Sequence, residues 1–330
     1  MIIAQSPLRI SLGGGGTDLP SYYREFGGFL IAAAISKHVY VSVQRAFNPG
    51  CLLRYSHIEH VHRMEDIRHP IIREAVKLLD VDLNYLEITS FADLPAGTGL
   101  GSSGSFGTAL LKGLHRYMRK VITTENLAKM ACHIELDILK EPIGKQDQYV
   151  AAFGGLNCYT FNKDDSVTVA QLDISSETMH HLNERVLLFS TGISRVASDI
   201  LKIQDRQTKE YQKEMVDNLH FVKQIGLDSR KALESGDLDA FGRLLDLHWR
   251  YKKQRSNLMS NNEIDQRYNL AMKNGALGGK LIGAGGGGFL MFYAEDPTHL
   301  RKAMMAEGLR DMAYGFKYEG TKLLDGGGEM

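Results

Sequence analysis

Residues 93–113 read DLPAGTGLGSSGSFGTALLKG, a glycine-rich loop that runs straight into an apolar helical pattern. Residues 85–91 before it alternate as a strand does, so the context is strand, loop, helix. Gly97, Gly99, Gly101 and Gly104 let the backbone come close to a ligand without interference from a Cβ. The amides of residues 100–103 then stand at the positive end of the helix dipole, where phosphate binds well. The loop is neither G-x-x-x-x-G-K-[ST] nor an ordinary G-x-G-x-x-G dinucleotide turn with an acidic residue at the expected distance. Taken alone it is an anion cradle or a tight turn, and only its companions separate the two.

The 34 glycines are unevenly spread, and two further clusters lie at residues 13–16 and 275–288. The first follows a strand-like stretch, 2–12, and precedes a helical segment at 20–26. Residues 29–45 read as extended chain and 69–80 as helix, and helices are expected over 103–119 and 124–139. Short strand-like runs occupy 167–190. The pattern is helical over 196–253, with breaks expected at Gly226 and at Ser235-Gly236. A helix over 264–273, strands at 280–282 and 289–293, a helix over 298–312 and a strand-like FKYEG complete the chain. At 330 residues two domains are expected, 1–185 and 186–330, the second mixing helices with a few strands as an α+β layer does.

Lys+Arg and Asp+Glu both total 39, so the global charge points to neither nucleic acid nor an anionic membrane as partner. The three cysteines are scattered and lack C-x-x-C spacing, which favours reduced thiols in a cytoplasm over a disulfide frame or zinc site. The longest apolar run, 29–35, is far too short to span a bilayer. A cytoplasmic protein is expected.

Phosphoryl transfer from a nucleotide needs a phosphate cradle, Mg²⁺ ligands and a group to orient or deprotonate the acceptor hydroxyl. Ser102 and Ser103 end the loop, where a hydroxyl can reach Mg²⁺ beside the phosphates. Leu127, Met130, Ala131, Ile134 and Ile138 form an apolar stripe with Glu135 on its edge, a carboxylate that needs either a cation or a neighbouring helix's salt bridge. In GKQDQY, Asp147 stands between two glutamines; it is a base or electrostatic partner for an attacking hydroxyl, or a turn aspartate bonding its own backbone. Arg9 and Asp18 bracket the four-glycine loop, and Arg9 is either a strand salt bridge or a stabiliser of phosphoryl charge. The basic run RYKKQR, 250–255, is read as the solvated end of a helix, Trp249 beside it as either packing or pocket, and the methionines 304, 305 and 312 as core filling.

These pieces, in this order, resemble the GHMP kinases, whose three motifs match residues 7–20, 95–107 and 278–289. Within that family, RISLGGGGTDLPSYY, RHPIIREA, EPIGKQDQY and KLIGAGGGGF are most similar to the heptose 7-phosphate kinase branch. The resemblance implies an N-terminal ribosomal S5 domain 2-like domain and a C-terminal ferredoxin-like one. It implies that Pro95, Gly97, Gly99, Leu100, Gly101, Ser102 and Ser103 wrap the ATP phosphates, and that Ser103 and Glu135 hold Mg²⁺. Asp147 then matches the catalytic base or orienter, Arg9 the arginine beside it, and Asp18 the aspartate that binds sugar hydroxyls. One departure matters: where galactokinases carry Glu-His this chain has Gly15-Gly16, so the pocket is expected to be roomier. Gly144 and Lys145 are placed at the sugar site, and Lys145 and Arg195 are each either a contact for a phosphate on the sugar or a solvated surface charge. The implied reaction is phosphorylation of the anomeric hydroxyl of a heptose 7-phosphate. An unphosphorylated sugar such as free heptose or L-fucose is the alternative acceptor, and a silent ATP- and sugar-binding sensor the alternative role.

Overall fold

The computed structural model describes residues 1–193 and 198–324. Its first sheet grows around one long strand. β1 (Ile2–Gly13) leads through the glycine loop and α1 (Pro20–Phe26) into β2 (Gly28–Arg45). The two run antiparallel from Ile2↔Val43 to Gly13↔Ile31, with breaks in register between Pro7 and Leu8 and between Ser11 and Gly13. Pro7 has no N–H to give the ladder, and breaks of this kind re-aim the side chains beside them. Arg9 lies between the two.

The short antiparallel pair β3 (Cys51–Arg54) and β4 (Ile58–Val61) follows, then α2 (Pro70–Leu78) and β5 (Leu86–Ala92). β5 pairs with the second half of β2 and β3 with β5. α3 (Ser102–Tyr117) lies across β1 and β2, where Gly113 meets Val43 and Ala4. α4 (Thr124–Cys132) widens into π-type turns over His133–Ile138, and a short helix, α5 (Gln146–Phe153), packs on α3 and α4. β6 (Leu156–Phe161) takes the first half of β2, and β7 (Val167–Gln171) covers β6.

After α6 (Ser176–Arg185) a second sheet begins with β8 (Val186–Ser190). Four helices follow: α7 (Ser198–Lys209), α8 (Lys213–Glu234), α9 (Leu238–Gln254) and α10 (Asn262–Lys273). β9 (Ala276–Leu281) and β10 (Phe289–Ala294) form a hairpin, and α11 (Pro297–Ala306) leads to β11 (Arg310–Asp311). The sheet order β11-β8-β10-β9, all antiparallel, is the βαββαβ arrangement of a ferredoxin-like layer with its first crossover enlarged. The chain then returns to the first sheet, where β12 (Lys322–Leu324) pairs with β1.

One large core joins β1, β2, β5 and α3 and continues into residues of α8, α9 and β10. A smaller one holds Phe189, Trp249, Tyr268, Phe292 and Met304 between the second sheet and its helices. Met304 and Met312 are buried as expected, whereas Met305 is exposed. Cys51, Cys132 and Cys158 are unpaired thiols, all buried. No helix among the described residues is long and apolar enough to cross a membrane.

Several expected elements come out differently. α8 passes through Gly226 without a break, because a Cβ there would lie 2.9 Å from Gly14 Cα; the glycine serves helix-to-loop packing. α6 interrupts the stretch read as strands, and α5 places Asp147 in a helix, not in the turn of its alternative reading. The last helix stops at Ala306, and FKYEG contributes only the bridge Phe316↔Ile35.

Candidate active site

The loop between β5 and α3 ends at Gly101, which caps α3 in the left-handed conformation (φ 78°) with no side-chain cap. The amides of the first turn are therefore left for a ligand. Behind the loop stands the third glycine cluster. A Cβ on Gly283 would fall 2.6 Å from Gly99 Cα, so the two loops touch backbone to backbone. In front, Arg9 ties the loop to β1: its amide donates to Leu100 O (3.0 Å) and its guanidinium to Gly99 O.

The same guanidinium grips Asp147. Nε donates to Asp147 Oδ1 at 2.8 Å, Nη2 lies 2.7 Å from that oxygen, and Gln146 Nε2 adds a third contact at 3.1 Å. Asp147 stands in the first turn of α5, where the helix dipole favours a carboxylate. Asp18 sits just beneath, its Oδ2 accepting from Gln146 N (3.2 Å) and its Oδ1 from Gly16 N (3.3 Å). Gly144 makes room for it, since a Cβ there would meet Asp18 Oδ2 at 1.9 Å. Burial, and then the charge of Asp147, push the Asp18 carboxyl above its usual range.

Glu135 occupies the widened turns after α4, an irregularity that often marks a functional position. It is almost fully buried and accepts from Gln148 Nε2 at 2.7 Å, with the Ser103 hydroxyl close enough to hold its charge. Burial pushes its pKa up to about 7 against the pull of those two groups. A buried carboxylate and a hydroxyl at a helix N-terminus are hard oxygen donors that suit Mg²⁺. That ion is usually held by one or two carboxylates plus substrate phosphates. Among the described residues no three His, Cys, Asp or Glu converge as a closed metal cage.

Arg9, Asp18, Gly99, Gly101, Ser103, Gly144, Gln146, Asp147 and Gly283 border one cavity of about 1080 Å³, and Glu135 does not. One end is apolar, lined by Val39, Tyr55, His69, Ile71, Phe91 and Phe106. The other is lined by Gly15, Gly16 and Asp18 and closed by α7 and α9. There Gln204 Nε2 donates to Gly16 O (2.9 Å) and Arg255 Nη2 to Gly15 O (3.2 Å).

One of the expected sugar-phosphate contacts, Lys145, is not brought to this cavity. Lys145 turns away into a second hollow, where its Nζ donates to Asp165 O (2.7 Å) and lies over the Tyr23 ring, 4.9 Å from its centroid. Arg195 lies outside the described residues. RYKKQR is only half solvated: Arg250 and Lys253 face outward, while Lys252 and Arg255 are buried and line the cavity with His248 and Lys280. Their spacing carried the signal, because 241, 245, 248, 249, 252 and 255 form one face of α9, the face that holds Trp249 in the core. Ser11 was also missed; its Oγ lies buried on the cavity wall without a hydrogen-bond partner among the described residues.

Residues 70–155 match the family model described as the GHMP kinases N-terminal domain, and residues 229–306 match the GHMP kinases C-terminal one. The chain is 31% identical, over 97% of its length and 98% of the relative's, to the D-glycero-alpha-D-manno-heptose 7-phosphate kinase of Campylobacter jejuni. It is 24% identical to the bifunctional fucokinase/GDP-fucose pyrophosphorylase of Arabidopsis thaliana over 88% of its length, spanning 29% of that longer protein. In fold it superposes on a D-glycero-D-manno-heptose 1-phosphate kinase from Bacteroides thetaiotaomicron with a TM-score of 0.80, covering 98% of this chain and 99% of that one at 24% identity. Two sheets arranged around a glycine loop, an Arg9–Asp147 pair at its mouth and a near-full-length relative above 30% identity lead to one assignment. The chain belongs to the GHMP kinase family and is a sugar kinase, a phosphotransferase with an alcohol group as acceptor.

Proposed function

We propose that the enzyme transfers the γ-phosphoryl group of ATP to the anomeric hydroxyl of D-glycero-D-manno-heptose 7-phosphate, giving the 1,7-bisphosphate. The observation that carries this reading is the Arg9–Asp147 pair, set between the glycine-loop helix and the cavity end lined by Gly15, Gly16 and Asp18, where the Arg255 guanidinium rather than open space lies beside Gly16. The heptose 7-phosphate relative, matched along nearly the whole chain, supports the choice of sugar.

In this reading the apolar end of the cavity takes the adenine, with Phe91 and Phe106 against it. Residues 95–103 wrap the phosphates, and Asp18 with Gly15, Gly16 and Gly144 receives the sugar hydroxyls. Arg9 and Gln146 occupy Asp147 Oδ1, which leaves Oδ2 to orient or deprotonate the 1-hydroxyl. The guanidinium of Arg9, tied also to Gly99 O, stabilises charge spreading over the phosphoryl group in flight. Ser103 and Glu135 would hold Mg²⁺, which neutralises the phosphate oxygens when bound. The buried thiols and balanced charge fit work in a reducing cytoplasm.

ADP release with Mg-ATP tests the reading across heptose 7-phosphate, free heptose, mannose, galactose, L-fucose and mevalonate. The expected outcome is kcat/KM for the 7-phosphate at least ~10²-fold above free heptose, because a site built for a phosphate rejects the analogue without it. A free sugar used as well or better would replace the substrate while keeping the kinase.

A further inference from the structure

Lys252 and Arg255 at the end of α9, His248 one turn earlier and Lys280 on β9 line the cavity, each more than nine-tenths buried. Among the described residues, no ion pair within 4.0 Å joins any of them to a carboxylate. Their partners are neutral. Lys252 Nζ donates to Leu281 O (2.8 Å) and Gly283 O, and Arg255 Nε to Asn218 Oδ1 (3.0 Å). Among the described residues Lys280 Nζ has only His248 Nδ1, at 3.3 Å.

Cations withdrawn from water without a counter-charge are expensive to hold. Burial shows the tension: with repulsion from Arg255 and Arg9 it lowers the Lys252 pKa to about 7, and it lowers that of Arg255 to about 10 against the attraction of Asp18. Burial and neighbouring cations push Lys280 and His248 down as well. A second observation points the same way. Ser11 Oγ, on the same wall, is a buried hydroxyl with no hydrogen-bond partner among the described residues. The set wants an anion.

The transferred phosphoryl group already has the loop amides, Arg9 and Ser103. The cationic wall instead reaches the sugar end, since Arg255 holds Gly15 O beside Gln204 on Gly16 O. We propose that Lys280, Lys252, Arg255 and Ser11 form the subsite for the phosphate that the sugar already carries, in place of the expected Lys145. This rests on the sugar-phosphate reading above and names the residues that make the phosphate obligatory.

Lys280→Met removes the charge with least disturbance, because among the described residues Lys280 bonds only His248 and an apolar side chain of similar length fills its space. In this variant KM for heptose 7-phosphate should rise at least ~10-fold, as loss of a charge-assisted hydrogen bond predicts, while KM for ATP moves less than about twofold. A rise in the KM for ATP alone would assign the wall to the nucleotide and overturn the proposal. No change in either constant would make it structural and overturn it equally. Should Lys280→Met fail to fold, Arg255→Gln gives the same readouts.

If the wild type turns over no sugar phosphate, the functional reading fails by itself. Inorganic phosphate titrated into the nucleotide-free wild type then decides the subsite. Binding that Lys280→Met loses upholds it, and absence of binding, or binding the variant keeps, overturns it.

Discussion

Arg9 and Asp147 are 138 positions apart in the chain and hold each other through two guanidinium nitrogens on one carboxylate oxygen. If Asp147 orients or deprotonates the acceptor, Asp147→Asn should fold normally and lose at least ~10² in kcat, read from ADP release at saturating substrates. Turnover within a few-fold of wild type would remove it from the chemistry. Glu135 makes a prediction about stability. Its carboxyl titrates near 7 in the fold against an ordinary value of 4.5, so the folded state holds the proton more tightly than the unfolded one. Its contribution is fully present below about pH 4.5 and is lost as the pH rises through about 7. Glu135→Gln keeps an acceptor for Gln148 and removes this loss. The metal-free variant should therefore be more stable than wild type by about 3 kcal/mol above pH 7, the gain vanishing near pH 4.5 in urea titrations. Equal stability at both pH values would show that Glu135 is not held as a strained buried acid. The residues legible in advance were those inside local motifs, Glu135 on its stripe and Asp147 between its glutamines. Ser11 and Lys280 lie inside the first and third glycine motifs but nothing local singles them out there, and only the cavity around them shows their place.

At the scale of elements, α8 shows packing overruling a local preference. Gly226 sits mid-helix, where Gly→Ala ordinarily stabilises by roughly 0.8–1 kcal/mol. Here the added methyl meets the backbone of Gly14 at 2.9 Å, which cannot swing away as a side chain does. Gly226→Ala should instead destabilise by about 1–3 kcal/mol and raise the sugar KM through the displaced loop, as equilibrium unfolding and kinetics would report. A stabilised variant with unchanged KM would contradict this. Boundaries were read well where glycine or proline punctuates the pattern, as at α1 and at the start of α3. α5 was not, because eight residues buried nearly all round show no amphipathic period. The far end of α9 misled in the opposite way. Its charges suggested solvent, although the helical spacing from Phe241 to Arg255 already put half of them on the buried face.

For the whole molecule, we propose a division near residue 186, where β8 opens the second sheet, with β12 strapping the chain's last described strand back onto β1. α8 covers the Gly13–Gly14 end of β1, and the large core draws on α8, α9 and β10. A fragment of residues 1–185 should therefore lack a cooperative unfolding transition and a native near-ultraviolet spectrum, while the full chain shows both. A fragment that melts cooperatively would make the first sheet an independent unit. By itself the sequence determined the three glycine clusters, the strand-loop-helix at the phosphate cradle, most helices and strands, and the family. All of these rest on backbone preferences and side-chain periods that act within a few residues of one another. Tertiary structure alone decided that Lys252, Arg255 and Lys280 share one cavity with Arg9, Asp18 and Asp147 and that Lys145 does not. The reason is that an unpaired buried charge is defined by what every distant segment brings near it, and no local pattern records that.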